Sequence, residues 1–448
     1  MKDLTKGFPA KVIFLFALPL MIGNVAQQIY NMTDSKIVSM YVGGNALAAV
    51  GATAVVVNLL TGFVNGLTQG FGIVTARHFG AENTAGVRRA VAGTMMLTGA
   101  VTAVMVVLGL VLARPVLELL KTPAHIMDDA MAYITIIIGG QVFVALYNMC
   151  ANTLRALGDS KRPLYCLFAA IVINVVLDLL MCGPLHMGIR GAAVATVIAQ
   201  AMAALSCLYI LCKGAVLPRR DDFALQGREV RELTNFGLSM ALMLSIVNIG
   251  TIILQSGINS LGTQVMIAHV SARKIVDILM VMIFTIGISM TTYVSQNYGA
   301  GKIRRIRQGV CHALAIDTVI TTVLILVSFI FGRQLVGWVA TSDDADILRN
   351  GERYIKIAVV CFYALGPLFI FRCTLQGMGA KIIPLVTSVL EMTVKVLSVM
   401  FLVPWLGYLG VCLTEPISWI AMTTVLTFGI ISTMRKVERR FAHVEARE

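Results

Sequence analysis

The chain has 448 residues, of which 58% are hydrophobic and 13% are charged, and its mean hydropathy is +0.84. This balance is far too apolar for the surface of a soluble protein, so the soluble classes are excluded. The formal net charge of +13 does not indicate a nucleic-acid partner, because the basic residues cluster in alternate loops, which is the pattern of membrane topology.

Apolar segments of roughly 20 residues recur along the whole chain, and each is long enough to cross a hydrocarbon core of ~30 Å as a helix. The connections between them are short, and we find no separate soluble domain. The sequence therefore predicts an all-α membrane protein with twelve transmembrane helices. They lie near residues 11–36, 46–72, 91–113, 130–152, 164–182, 191–212, 234–257, 265–294, 309–332, 354–375, 382–403 and 408–434.

The distribution of charge predicts the orientation of these helices. The loops around 42–45 and 404–407 are uncharged, whereas the basic residues occupy the loops on the other side and both ends of the chain. Since basic loops remain in the cytoplasm, we expect both termini to be cytoplasmic, which agrees with an even number of helices. The basic set includes Lys6, Lys11, Arg88, Arg89, Arg155, Lys161, Arg219, Arg220, Lys302, Arg304, Arg435 and Lys436.

The motifs of enzymes and of cofactor sites are missing from the sequence. The nine cysteines form no C-x-x-C and have no nearby His pair, so we expect no zinc or redox site and no cofactor. There is no H-E-x-x-H, no G-x-S-x-G and no phosphate-binding G-x-x-x-x-G-K-[ST]. An ion gradient is therefore the expected energy source.

An internal repeat is the strongest organisational signal. Three pairs of segments match in one register, at an offset of about 219 residues. The pairs are 73–81 with 292–300, 153–158 with 374–379, and 188–191 with 407–410. One repeat holds six helices, an even number, so both copies have the same orientation and are related by a pseudo-two-fold axis along the membrane normal.

These matches predict the domain organisation. We expect an N-terminal six-helix bundle at 1–212, a cytoplasmic linker at 213–232, a C-terminal six-helix bundle at 233–434 and a cytoplasmic tail at 435–448. Two facing bundles with a cavity at their interface are the expected build of a secondary transporter.

Several short motifs resemble those of the multidrug and toxic-compound extrusion (MATE) family. They are Pro19 with Gln27–Asp34 in the first helix, the aromatic-Gly-Ala loops at 79–81 and 298–300, and Ile173–Asp178. The resemblance covers essentially the whole chain. It implies a multi-pass exporter of the cell inner membrane that is driven by H⁺ or Na⁺, closest to the branch with its carboxylates in the N-terminal half.

Polar residues inside the predicted helices are the candidate coupling site. Asn174 and Asp178 are spaced i, i+4 and share one helix face, and Asp34 is the other N-half candidate. If the two carboxylates converge they would titrate as a coupled unit, which suits cation coupling. Asp178 has no counterpart in the second half, where the repeat aligns it with Leu397 or Ser398. The alternative is that each is a structural residue hydrogen-bonded between helices.

The resemblance implies further functional residues. It extends the coupling cluster to a supporting set, Tyr133, Asn148 and Thr196, and makes a bend at Pro19 part of the mechanism; each of these could instead be structural. A bound Na⁺ at Asp34, Asn174 and Asp178 is one form of the coupling ion, and no other metal is expected. Candidate substrate-cavity residues are Glu391, Gln27 and Tyr30.

The remaining charged residues of the helices have open roles. Lys36 is expected to reach the interface, whereas Glu391 with Lys395 and Arg273 with Asp277 are spaced i, i+4 and could neutralise each other. Asp317 and Glu415 are single acids whose faces the sequence does not fix. The segments 234–255 and 354–371 contain no Asp or Glu, unlike a second branch of the family with sodium-coupling acids there.

The sequence thus predicts a monomeric antiporter that lies in the lipid bilayer and exports amphipathic, cationic small organic compounds in exchange for H⁺ or Na⁺ by alternating access. One alternative is a flippase of a lipid-linked saccharide, which would need a strongly basic groove. The other is a polytopic membrane enzyme, which would need a His/Asp or His/Glu constellation.

Overall fold

The computed structural model describes residues 3–120, 122–214, 216–340 and 344–445, and the described chain is built of long helices. The last three residues of the tail predicted at 435–448 lie outside the described residues, and the tail is helical up to Glu445. The first half contains α1 (Pro9–Tyr41), α2 (Gly44–Gly80), α3 (Thr84–Leu119), α4 (Ala124–Ala156), α5 (Lys161–Cys182) and α6 (Gly188–Cys212).

The second half repeats the pattern with two interruptions. Its helices are α7 (Gly227–Asn259), α8 (Thr263–Gly299), α9 (Ile303–Ala340), α10 (Ala345–Val360), α11 (Phe362–Met378), α12 (Ile382–Leu397), α13 (Val403–Leu406) and α14 (Tyr408–Glu445). A π-helical turn, Ser398–Leu402, joins α12 to α13.

The helices confirm the predicted membrane architecture. Eleven helical segments of the described chain are long and apolar enough to span a bilayer, with α12 to α13 counted as one. The pair α10 and α11, bent by 49° at their junction, gives a twelfth. Each predicted apolar segment lies within one of these, and the predicted segment 354–375 contains the bend.

The chain forms two compact units, and their boundaries differ from those of the predicted bundles. One unit consists of residues 22–242, and the other of 3–21 together with 243–445. The first half of α1 therefore belongs to the second unit, because its Phe16 and Leu20 are buried in the core formed by α8 to α11 and α14. The linker and the start of α7 belong to the first unit.

Polar contacts hold the N-terminal segment in the second unit. The Leu4 backbone N–H donates to Gln296 Oε1 at 3.0 Å, Lys302 Nζ donates to the Thr5 carbonyl at 3.1 Å, and Arg305 donates to the Gly7 carbonyl at 2.9 Å. Since these bonds satisfy backbone groups of a short segment, they fix the entry of α1. Pro19 lies inside α1, which is one helix throughout, and the functional bend there stays a prediction.

Small residues let the helices of the first unit approach closely. Gly66 and Gly70 of α2 face the backbone of α7 around Met240 and Phe236, where a methyl group would overlap backbone atoms. In bundles without a hydrophobic driving force, such close backbone approach supplies the packing energy. These contacts fix α2 against the first part of α7.

The linker is docked on α3 through Asp222. This carboxylate is buried in the short 3₁₀ turn Arg220–Phe223, accepts a bond from the Arg219 backbone N–H at 2.8 Å and another from Arg88 Nε at 3.0 Å. The backbone bond from Arg219, and then the neighbouring Arg88, hold the pKa of Asp222 below its ordinary value of 3.8. The ionised form therefore stabilises the docked linker.

Replacement of the charge tests this docking. Because the pKa of folded Asp222 is depressed, its contribution to stability is complete above the pKa of the unfolded chain and is lost as the pH falls through the folded value. We expect Asp222→Asn to lower the midpoint of thermal unfolding of the detergent-solubilised protein at pH 7, with a difference from wild type that shrinks as the pH falls below about 4.

The exposed neighbour Asp221 provides the matched control, and Asp221→Asn should unfold as wild type does. If both variants unfold at the wild-type temperature at pH 7, Asp222 does not hold the linker.

Candidate functional site

The buried face of α5 carries the two polar residues that the sequence singles out. Its buried positions are Pro163, Cys166, Ala170, Asn174, Asp178 and Cys182, a stripe with the three- and four-residue spacing of one helix face. Asn174 is 1% exposed and Asp178 is 0% exposed, whereas the other side of the helix presents Val172 and Val176 outward. The two polar groups thus face the protein interior of the first unit.

The side-chain amide of Asn174 joins three helices. With the amide oriented to satisfy its neighbours, the nitrogen donates to the Tyr30 hydroxyl at 2.8 Å and to Asp178 Oδ2 at 2.7 Å, and the oxygen accepts from the Thr196 backbone N–H at 3.1 Å. Tyr30 lies on α1 and Thr196 on α6. Since both amide hydrogens and the amide oxygen are used, the orientation of Asn174 is fixed.

Asp34 brings a second carboxyl group to the same place. It follows Tyr30 by four residues on α1 and so shares its helix face, and its carboxyl group interacts directly with that of Asp178. On each acid, Oδ1 is buried and has no hydrogen-bond partner among the described residues. Two ionised carboxylates in direct contact repel each other. The contact is therefore favourable only when a proton or a cation is shared between them.

Two further hydroxyl groups border this pair. Tyr133 of α4 lies within electrostatic reach of both Asp34 and Asp178, and so does Tyr30. The Thr196 side chain lies beside the Tyr30 hydroxyl, and its own hydroxyl donates to the Ala192 carbonyl at 3.0 Å. We call the six residues the coupling cluster, after the role that the sequence analysis predicts for its carboxylates; they are Tyr30, Asp34, Tyr133, Asn174, Asp178 and Thr196.

The coupling cluster differs from the predicted set at its margins. Tyr30, which the sequence analysis gives as a candidate substrate-cavity residue, bonds to Asn174, and its place at the cavity stays a prediction. The side-chain amide of Asn148 donates to the Val144 carbonyl on its own helix at 3.0 Å, and that of Gln27 donates to Asn31 on its own helix at 3.5 Å. Lys36 is exposed, and its position at the interface stays a prediction.

The chemistry of the cluster suits a proton or a small hard cation. The groups that could bind the ion are carboxyl, hydroxyl and amide groups. Two buried carboxyl oxygens are free to accept a proton or to bind a cation. Within the described part of the chain, no three His, Cys, Asp or Glu side chains lie close enough to hold a metal ion.

The second unit contains a different buried charge cluster. Lys395 Nζ donates to Glu391 Oε1 at 2.9 Å, so the predicted i, i+4 pair is confirmed. Arg372 of α11, which the sequence reasoning missed, lies 4.0 Å from the other oxygen of Glu391. The signal for it was available, since Arg372 is the only charged residue of the apolar helix α11 and charges inside a membrane helix are costly.

The other predicted ion pair belongs to a larger network. Arg273 pairs with Asp277 at 2.7 Å, as predicted, and also with Glu415 of α14. The Tyr354 hydroxyl donates to Glu415 at 3.3 Å, and the ring of His269 packs edge-on against Tyr354 at a centroid distance of 4.6 Å. Glu415 is therefore a fully paired acid of the second unit.

Asp317 is a single buried acid in the second unit. It is 2% exposed, and its Oδ1 has no partner within the described chain. Its carboxyl group lies directly against Gly366 of α11, where any side chain would overlap it. The sequence could not fix its face, because this position depends on the absence of a side chain on another helix.

The comparisons with known proteins agree with this architecture. The sequence profile of the MatE family matches residues 19–180 and again 239–402, once in each half of the repeat. The chain is 26% identical over 410 residues to the probable multidrug resistance protein YpnP of Bacillus subtilis (strain 168), covering 91% of this chain and 92% of that protein.

Two further comparisons cover nearly the whole chain. The FAD transporter of Shewanella oneidensis is 24% identical over 422 residues, with 92% of each chain covered. Among solved structures, the crystal structure of MATE in complex with MaL6 has a TM-score of 0.91 at 21% sequence identity, covering 98% of this chain and 99% of that one. The structural likeness establishes the fold.

The bond between Asn174 and Tyr30 can be tested by removing one hydroxyl group. Tyr30→Phe leaves one N–H of the buried Asn174 amide without an acceptor, which we expect to destabilise the protein by about 1 kcal/mol. The measurement is the midpoint of thermal unfolding in detergent. Tyr165→Phe is the matched control, because Tyr165 lies on α5 but is 65% exposed. Equal midpoints for the two variants would contradict the described bond.

Proposed function

Because the chain belongs to the MatE family of multidrug and toxic-compound extrusion transporters, we propose that it couples export to the binding of H⁺ or Na⁺ at Asp34, Asn174 and Asp178. It is a multi-pass membrane transporter of the secondary active, multidrug efflux class, and it is not an enzyme. The observation that carries the proposal is the pair of facing carboxyl groups, each with one buried oxygen that has no hydrogen-bond donor among the described residues.

The coupling follows from thermodynamic linkage. An ion that binds one conformation more tightly shifts the protein toward it, and a substrate that prefers the other conformation must then bind more weakly. Asn174 connects α5 with α1 and α6, so a change in the charge of Asp178 alters the bonds between three helices. Alternating access would be the result of this change.

The asymmetry of the repeat supports a single coupling cluster in the first unit. The positions that correspond to Asp178 in the second half are Leu397, which is 49% exposed, and Ser398, where the π-helical turn begins. In the second unit, Asp277 and Glu415 pair with Arg273, and Glu391 pairs with Lys395. Its buried Asp317 is a single acid, with no second carboxylate beside it among the described residues. Acids in such ion pairs already have a counter-charge, whereas no basic side chain of the described chain forms an ion pair with Asp34 or Asp178.

The substrates are inferred to be small amphipathic organic compounds. The relatives include a probable multidrug resistance protein and an FAD transporter, whose names specify no common substrate. The expectation of a cationic substrate was linked to Glu391, but this carboxylate lies between Lys395 and Arg372. The charge of Glu391 is therefore already compensated, and it gives no reason to favour a cationic substrate.

The cellular setting remains part of the proposal. We place the protein in the cell inner membrane with both termini cytoplasmic, on the basis of its basic loops. We infer that it acts as a monomer within the bilayer and needs no cofactor or nucleic acid, with the coupling ion as its only other requirement.

A transport assay in liposomes tests the coupling. The purified protein is reconstituted, and efflux of ethidium, rhodamine 123 and fluorescein is followed under a pH gradient alone and a sodium gradient alone. We expect wild type to transport at least one dye under one of the gradients. Asp34→Asn and Asp178→Asn should reduce this gradient-driven rate about tenfold or more, because each removes a carboxyl group of the ion site.

Asp128→Asn is the matched control, since it removes one exposed carboxylate from the start of α4, and it should transport at the wild-type rate. Normal gradient-driven transport by both Asp34→Asn and Asp178→Asn would mean that the coupling ion binds elsewhere.

A further inference from the structure

Arg372 is a buried cation with too few partners. Its side chain belongs to the apolar helix α11, the residue is 5% exposed, and its Nε has no hydrogen-bond acceptor among the described residues. A guanidinium group carries five donor hydrogens in a fixed planar arrangement and is always charged. A group of this kind is costly to bury unless acceptors surround it.

The contacts that Arg372 does make are weak. One terminal nitrogen lies 3.4 Å from Thr387 Oγ1 and 3.3 Å from Met422 Sδ, both uncharged acceptors. Its ion pair with Glu391 Oε2 is 4.0 Å long, well beyond the 2.7–2.9 Å that charge-assisted hydrogen bonds reach. Among the described residues, the guanidinium thus has no acceptor at the short distance of a charge-assisted hydrogen bond.

Glu391 is occupied by a better-placed cation. Lys395 donates to Glu391 Oε1 at 2.9 Å and to Thr251 Oγ1 at 3.2 Å. Around Glu391 there are thus two basic groups for one carboxylate. The next acid, Glu415, is within electrostatic reach of Lys395 but is bonded to Arg273 and Tyr354. Glu415 therefore adds no contact to Arg372, which has only a distant share of the Glu391 carboxylate that Lys395 already holds.

The helices that carry Arg372, Glu391 and Lys395 are irregular close to these residues. Pro367 lies five residues before Arg372 inside α11, where it removes a backbone hydrogen bond. The π-helical turn Ser398–Leu402 begins three residues after Lys395, and such turns are frequent at functional sites. Both interruptions lower the cost of local rearrangement around Arg372.

We propose that Arg372 is a binding site for the acidic group, a carboxylate or a phosphate, of an anionic or zwitterionic substrate. The inference rests on the proposed export function and names its substrate class. The planar guanidinium matches both groups with two parallel hydrogen bonds. Lys395 keeps Glu391 neutralised while Arg372 pairs with the incoming anion.

Two pairs of fluorescent probes test the charge preference. The two members of each pair share a ring system and differ in charge. Fluorescein and rhodamine 123 share a xanthene ring but carry opposite charge, and flavin mononucleotide differs from riboflavin by a phosphate. Binding to the detergent-solubilised protein is measured by fluorescence anisotropy. We expect the anionic member of at least one pair to bind about 10- to 100-fold more tightly than its partner. The pair that responds distinguishes a carboxylate from a phosphate.

Two substitutions with opposite expected effects separate binding from folding. Arg372→Gln should abolish the preference for the anion. Glu391→Gln should increase affinity for the anion, because it removes the carboxylate that pairs with Arg372. A purely structural cluster would give no gain from Glu391→Gln. Arg333→Gln is the control, since Arg333 is an exposed residue of α9, and it should bind as wild type does.

The proposal is overturned if wild type shows no preference for either anion, including no binding at all, or if Glu391→Gln fails to increase affinity. A folded Arg372→Gln protein that still prefers the anion would also overturn the proposal. No ion gradient is present in this measurement, so a failure of the coupling proposal leaves its result unaffected, and the converse also holds.

Discussion

The high cost of an unpaired charge away from water is the constraint on which the structure depends. A carboxylate or guanidinium that leaves water without a partner loses several kcal/mol, in order of magnitude, even after the protein relaxes. The second unit meets most of this cost with ion pairs, such as those of Arg273 with Glu415 and Lys395 with Glu391. In the first unit, Asp34 and Asp178 face each other, and no basic side chain of the described residues pairs with either of them. Their shared requirement for a positive charge is what makes them suitable for coupling.

Much of the fold could be predicted from the sequence because the bilayer restricts the alternatives. Backbone groups in a hydrocarbon core must bond within their own helix, so apolar length alone located the helices. The repeat then indicated two halves. The units of the structure differ from those halves at α1, whose first part packs through Phe16 and Leu20 with residues from the other end of the chain. Such contacts depend on side-chain packing over long sequence distances, which no local pattern encodes.

The candidate site was only partly predictable for the same reason. The i, i+4 spacing of Asn174 and Asp178 fixes their common helix face, and the structure brings Tyr133 and Thr196 to the same cluster as the resemblance implied. The bond between Tyr30 and Asn174 and the contact between Asp34 and Asp178 join helices far apart in sequence, so spacing could not reveal them. Arg372 was missed although it interrupts an apolar helix, because its partners Thr387 and Glu391 lie on the next helix.

The central claim is that ion binding at Asp34 and Asp178 opposes substrate binding. The most direct test measures the affinity of the solubilised protein for an exported dye over a range of pH and, separately, of sodium concentration. For wild type, the account predicts that affinity falls as one of the two ions increases, and that Asp178→Asn removes this dependence. An unchanged ion dependence in a folded Asp178→Asn protein would contradict the account.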